Sequence, residues 1–286
     1  MESILWQNSW AFENNETIFV LFLLCKKVKQ KLLFTDIIYG PIRSRRLGIS
    51  LGVNLLPLHS KLCNFDCIYC ECGWNEDNRA EKPRFNSRED VRTALEATLS
   101  KMEAEGALPD VITFAGNGEP TIHPEFEGII DDTIALRNKF APEAKVSVLS
   151  NATQLHREGV RNALHKVDNA ILKLDSAFTS TAKLINKPQG DYSVERIVEQ
   201  LEGFGREFVL QTMFLRGEYD GRVIDNTTPD EVAAWLKLVA EIRPRQVMIY
   251  SLDRDTPCQT LHRVEREELQ KIADQVVALG IVCSVA

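Results

Sequence analysis

Nothing in the sequence is long and apolar enough to cross a bilayer as a helix. The apolar stretch near the start, TIFVLFLLC at 17–25, falls well short of the ~20 residues a spanning helix needs. Its cations, KKVKQK, come after it, whereas a secretory signal carries them before its apolar core. Neither an anchor nor an export signal is expected, so residues 1–34 read as an N-terminal extension and 35–286 as the working domain. A cytoplasmic setting and reduced thiols follow. An excess of basic residues is also missing. The formal charge is −7, from 34 Lys and Arg against 41 Asp and Glu, so the overall balance lacks a nucleic-acid footprint and leaves room only for a local patch. No repeat, low-complexity tract or Pro/Gly/Ser linker divides the chain. Cysteine is scarce, at seven in 286 residues, and the odd number in a reducing compartment argues against a disulfide framework.

What is present is an alternation of strands and helices. Short apolar runs rich in β-branched residues occur at 111–115, 145–150, 170–175, 208–215 and 246–252, with an earlier one at 49–58. Such runs suit the buried strands of a mostly parallel sheet. Between them apolar residues recur at helical spacing: Val91, Leu95, Leu99 and Met102 after a predicted N-cap at Ser87, then Ile197, Leu201 and Phe204. Val232, Trp235, Leu236 and Val239 follow Thr228-Pro229-Asp230-Glu231, a capping-box pattern with proline at the first helical position. Leu269, Ile272, Ala273 and Val276 form another stripe. Strand then helix, about six times over, predicts an α/β fold with right-handed crossovers, either a partial barrel or a doubly wound sheet. Two polar loops, 71–86 and 216–228, are candidate lids or substrate contacts, because loops at the C-terminal strand ends build the sites of such folds.

The densest chemistry lies in KLCNFDCIYCECGW, residues 61–74. Cys63, Cys67 and Cys70 are spaced C-x3-C-x2-C, and Cys72 follows. Thiolates suit zinc, copper(I) or an iron–sulfur cluster. Four of them would close a zinc site, but the usual second knuckle is missing downstream, where Cys258 and Cys283 stand alone as core residues. Three ligands without a dedicated fourth point to a [4Fe–4S] cluster with one open iron. Downstream, FAGNGEPTIHP (114–124) follows a predicted strand, and its glycines allow close backbone approach.

The cysteine motif, with aromatic Tyr69 before its last cysteine, and the glycine-rich, glutamate-containing motif resemble the signatures of the radical S-adenosylmethionine superfamily. The resemblance implies a partial (β/α)6 barrel. It implies that Cys63, Cys67 and Cys70 hold three irons while S-adenosylmethionine chelates the fourth. One electron then splits the sulfonium, and the resulting 5′-deoxyadenosyl radical abstracts hydrogen from substrate. Gly116, Asn117, Gly118 and Glu119 would receive the methionine part, although Asn117 separates glycines that the family pattern usually has adjacent. Ser150 and Asn151 would face the ribose, unless they cap a helix, and Tyr69 would orient the adenine or pack beside the cluster. YGPIRSRRLGISLGVNLLP (39–57) is further similar to bacterial Fe–S oxidoreductases grouped with wyosine-type tRNA-modifying enzymes. Those enzymes carry extra N-terminal cysteines for a second cluster, where this chain has only Cys25 before Cys63. A low-potential electron donor such as flavodoxin or ferredoxin is implied as a partner.

Other residues are read from position. Lys173 and Asp175 alternate with apolar neighbours and so share a strand face, where burial would be costly without polar partners. They and Gln211, similarly placed on its own strand, are candidate catalytic residues. Arg43, Arg45 and Arg46 form a basic cluster that would suit phosphate, tRNA included; a small metabolite or peptide is the competing substrate. His123 reads as a surface or capping residue. The rival reading is a non-catalytic zinc or electron-transfer module with Cys72 as fourth ligand.

Overall fold

The computed structural model describes residues 33–44, 48–76, 83–254 and 256–286. The extension expected at 1–34 therefore lies outside the described residues up to position 32. Six parallel strands build the sheet: β2 (Gly48–Val53), β3 (Val111–Phe114), β4 (Lys145–Ser150), β5 (Asn169–Lys173), β6 (Val209–Met213) and β9 (Gln246–Tyr250). Every residue of β3 and of β6 is buried, which is why these segments read as unbroken apolar runs. Two strands were not anticipated. β1 (Ile38–Ser44) pairs antiparallel with β2 at one edge, and β11 (Val282–Val285) adds in parallel to β9 at the other. Among the described residues the sheet does not close, so it is an open, partial barrel.

Helices pack on the outer face through the predicted stripes. In α1 (Arg88–Ala104) the buried positions are Val91, Leu95, Leu99 and Met102, and Ser87 caps it by accepting from Asp90 N. α2 (Phe126–Phe140), α3 (Glu158–Lys166), α4 (Thr179–Asn186) and α5 (Val194–Phe204) follow their strands. α6 (Pro229–Ile242) starts at Thr228, whose hydroxyl accepts from Glu231 N. The Glu231 carboxylate turns instead to Ser176, whose hydroxyl donates to it at 2.7 Å. α7 (Arg266–Ala278) buries Leu269, Ile272, Ala273 and Val276. Among the described residues no helix is long and apolar enough to cross a membrane.

The predicted polar loop at 216–228 is a hairpin. β7 (Leu215–Tyr219) and β8 (Arg222–Asp225) pair antiparallel, and β10 (Leu261–Arg263) completes a second, three-stranded sheet. Asp220 and Gly221 both have positive φ, 53° and 67°, the two-residue turn that matches strand twist. Polar composition concealed the strands, because only some of their residues are covered: Leu215 and Ile224 are buried, while Val223 is exposed. The other loop, 71–86, is described only at its ends; there Asn86 donates to Asn54 O and Leu56 O.

Candidate active site

Side chains on the inner sheet face form a layer apart from the main core. Ile171, Val209 and Met248 make a small apolar patch there. Above it, toward the C-terminal strand ends, lie Lys173, Gln211 and Tyr250: Lys173 registers with Gln211, and Gln211 with Met248. The cysteine segment and the glycine motif meet at this end.

The two motifs are joined by main chain. Leu62 N donates to Asn117 O at 2.8 Å, and Glu119 N donates to Leu62 O at 3.2 Å, as a parallel bridge between Leu62 and Gly118. A Cβ on Gly118 would stand 1.9 Å from Leu62 O, and its φ is +142°. Gly116, at φ +125°, has no room either, with Asn54 Oδ1 2.6 Å from where a Cβ would lie. These glycines are required for close backbone approach. Beyond the strap the cysteine loop docks on α4, with Ile68 N donating to Ile185 O at 3.0 Å. A second hydrophobic core of Ile68, Tyr69, Ile185, Met213, Leu215, Ile224 and Cys258 supports it, with Trp74 and Tyr219 packed alongside. The Lys187 ammonium lies 4.5 Å from the Trp74 ring centroid.

Cys63, Cys67 and Cys70 are half-buried, whereas Cys72 is buried. Phe65 N donates to Cys63 Sγ at 3.4 Å and Asn186 Nδ2 to Cys67 Sγ at 3.5 Å. The Cys72 thiol has Gly116 O at 3.4 Å as one acceptor and also lies against Cys70. Burial pushes the Cys67 thiol up to about 12. Cys70 is brought down to about 6 by hydrogen bonding from Cys72 and by the Lys61 ammonium. Among the described residues no three Cys, His, Asp or Glu side chains converge as ligands of one metal ion. A soft trio on one loop, with donors already aimed at two sulfurs, fits the expected cluster, whose potential is tuned by such bonds. Lys61, unnoticed in the sequence, lies within this loop: Nζ donates to Gly73 O at 2.6 Å and to Asp66 Oδ1 at 3.1 Å. Burial opposes its charge, but Cys70, Cys63 and Asp66 hold its ammonium above the usual lysine range.

The Asn117 side chain has a structural part. It accepts from Phe34 N and donates to Phe34 O and Pro57 O, each at 2.8 Å. It therefore clamps the chain entering β1 and the segment after β2. Glu119 is buried, accepting from Thr121 N at 3.1 Å, from the Thr121 hydroxyl, and from Asn151 N at 2.7 Å. Burial still holds its carboxyl above the usual range. Ser150 and Asn151 do not cap a helix, since α3 begins only at Glu158. Ser150 Oγ accepts from Ala152 N at 3.1 Å, and Asn151 Nδ2 donates to Asn64 Oδ1 at 2.7 Å, so Asn151 touches the cysteine loop. His123 is buried: its Nδ1 accepts from Glu125 N and its Nε2 donates to Asn86 O. It is a structural residue inside the fold, not on the surface.

Asp175 is the hub of the far side. It accepts from Tyr69 OH at 2.6 Å, Asn186 Nδ2 at 2.7 Å and Met213 N at 2.9 Å. Lys173 Nζ lies 3.6 Å from its Oδ1 and donates to Tyr250 OH at 2.9 Å. Tyr69 is thereby fixed by its hydroxyl as well as its ring, and burial and Asp175 hold that phenol well above its usual range. Gln211 is buried, its amide turned to Met248 Sδ at 3.7 Å. Asp175→Ala strips acceptors from three donors and leaves Lys173 without its counter-charge. A loss of about 3–5 kcal/mol is expected, read as a lowered urea midpoint; a midpoint unchanged from the parent would contradict the network. Arg43 is exposed on β1, and Arg45 and Arg46 lie outside the described residues.

The chain is similar in sequence or in fold to several known proteins. A protein of Brachyspira hyodysenteriae named GTPase Obg is 30% identical over 271 residues, covering 92% of this chain but 37% of that protein. A UPF0026 protein of Methanocaldococcus jannaschii is 32% identical over 183 residues, 63% of this chain and 54% of that one. The chain thus spans about half or less of the length of these relatives. A radical SAM methyltransferase from Sphaerobacter thermophilus shares the fold, with TM-score 0.60 at 12% identity over 83% of this chain and 65% of that one. The radical SAM superfamily model matches residues 58–228, from just before the cysteine loop to the cap of α6. The chain belongs to the radical SAM superfamily, and hence to a class of enzymes that work with a [4Fe–4S] cluster and S-adenosylmethionine.

Proposed function

We propose that this chain is a radical enzyme of oxidoreductase type in which Cys63, Cys67 and Cys70 ligate the cluster. Gly116, Gly118, Glu119, Ser150, Asn151 and Tyr69 frame the S-adenosylmethionine site, and Lys173, Asp175 and Gln211 face the reaction space. The observation that carries this reading is the Leu62–Gly118 strap, which holds the sulfur loop against the glycine motif at the C-terminal strand ends. Bound together, the two cofactors supply a 5′-deoxyadenosyl radical for hydrogen abstraction. The protein's own part is positional. Glu119 presents a buried carboxyl to an ammonium, and the Asp175 hub fixes Tyr69. Lys173 and Tyr250 offer a cation and a hydroxyl to a polar substrate group.

In this reading a low-potential donor such as flavodoxin or ferredoxin supplies the electron in the cytoplasm. The catalytic body begins where Asn117 grips Phe34, with the preceding residues as an extension. Exposed Arg43 would suit a phosphate-bearing substrate such as tRNA; a small metabolite or peptide is the competing substrate. Anaerobic protein with loaded iron and a strong reductant is expected to release methionine and 5′-deoxyadenosine in equal amounts; no cleavage from fully loaded protein would overturn the assignment. For tRNA with six or more phosphate contacts, affinity is expected to fall about 10³-fold or more between 50 and 200 mM salt. Salt-independent binding would point to a small neutral substrate.

A further inference from the structure

Lys61 is the one charged side chain in the cysteine loop that is withdrawn almost completely from water: 1% of it is exposed, against 17% for its partner Asp66. Its ammonium donates to Gly73 O at 2.6 Å and to Asp66 Oδ1 at 3.1 Å, and Gly73 N donates to Cys70 O at 2.9 Å, so the charge sits against the turn that carries Cys70. Asp66 in turn accepts from Asn75 N at 2.8 Å, and Asn75 Nδ2 donates to Cys63 O at 3.3 Å and Phe65 O at 3.0 Å. The loop could be clamped by a neutral donor at far lower cost, since burying a cation is expensive even when it is paired. What an ammonium adds is a fixed positive charge beside a sulfur, in surroundings where the field is weakly screened.

We propose that Lys61 sets the reduction potential of the cluster, acting as a charge-compensating residue beside the turn that carries Cys70. The inference rests on the reading that Cys63, Cys67 and Cys70 hold a [4Fe–4S] cluster. A buried cation beside a ligating thiolate stabilises the reduced, more negative form and so moves the potential upward. Asp66 works in the opposite sense, because its carboxylate offsets part of that charge. The pair therefore holds the cluster between two limits that single substitutions should reveal separately.

The test is an EPR-monitored redox titration of anaerobically reconstituted parent, Lys61→Met, Lys61→Arg and Asp66→Asn proteins, with iron and sulfide counted in each. Lys61→Met is expected to move the midpoint to more negative potential by about a tenfold change in the reduction equilibrium, 59 mV for one electron. Lys61→Arg keeps the charge and is expected to restore most of the shift. Asp66→Asn is expected to move the midpoint the other way while its remaining oxygen still accepts from Asn75 N. If loaded Lys61→Met titrates with the parent, or if Asp66→Asn moves in the same direction as Lys61→Met, the proposal is overturned and Lys61 is a structural clamp. If Lys61→Met loads too little cluster to titrate, Asp66→Asn decides alone by the sign of its shift. A parent protein that takes up no iron and sulfide defeats the cluster assignment itself, and this inference with it.

Discussion

Alanine at Cys63, Cys67 or Cys70 should abolish the iron–sulfur chromophore and the cleavage of S-adenosylmethionine, while serine at Cys72 should leave the chromophore in place. Each of the first three sulfurs is half-buried on the loop facing the glycine motif, and Asn186 and the main chain already donate to two of them. Removing one of three ligands goes beyond the roughly 10–100-fold loss that follows when an outer-shell partner of a metal site is removed. Activity is therefore expected to fall to background, not by a factor. Cys72 differs because it is buried with its thiol within reach of Gly116 O, and serine can still donate there. Iron and sulfide analysis of the four proteins checks both halves. A chromophore that survives alanine at any of the three would overturn the ligand assignment, and one that disappears with Cys72→Ser would favour a four-thiolate module over the enzyme. The three alanine variants should still fold, since each removes only a half-buried sulfur and typical point mutations cost about 0.5–3 kcal/mol.

Gly118→Ala carries the second large effect. The new methyl would meet Leu62 O at 1.9 Å, in a backbone conformation at φ +142° that L side chains rarely adopt. Strain of about 1–3 kcal/mol adds to an overpacking cost of similar size, for a total of about 2–6 kcal/mol. Relief requires Leu62 to draw back, which breaks the strap and carries Cys63 with it. Loss of stability and loss of cluster loading should therefore appear together. Gly106→Ala is the matched control: its φ is also positive, at +65°, but nothing lies within 4 Å of the added carbon, so only about 1–2 kcal/mol is expected. Chemical denaturation and iron content of both variants provide the comparison. Gly118→Ala protein with normal loading and a stability loss no greater than the control would show that the strap is dispensable.

The parallel strands were legible because burial on both faces leaves no polar interruption; KVSVLS is β4 to the residue. The α1, α5, α6 and α7 stripes were legible for the corresponding reason at helical period. The β7–β8 hairpin was missed although Asp220-Gly221 announces it, because one face of the strands is open to water and the composition resembles a loop. The cysteine and glycine motifs stood out through short-range spacing alone. Lys61, although two residues from Cys63, did not, since its meaning depends on Asp66, Gly73 and Cys70 folding around it. The clamp made by the Asn117 side chain was not legible for the same reason: its partners, Phe34 and Pro57, lie 83 and 60 residues away. Asp175 was placed on the correct face with Lys173, but its partners Tyr69, Asn186 and Met213 are brought together only by the crossovers.

The small hydrophobic core beneath the cysteine loop has a bearing on how the protein matures. Because Ile68, Tyr69, Ile185, Leu215 and Ile224 pack separately from the main interior, this corner can open as its own cooperative unit while the sheet stays intact. Iron and sulfide would then enter a body that has already folded, and hydrogen exchange should become slower in this corner once they are seated.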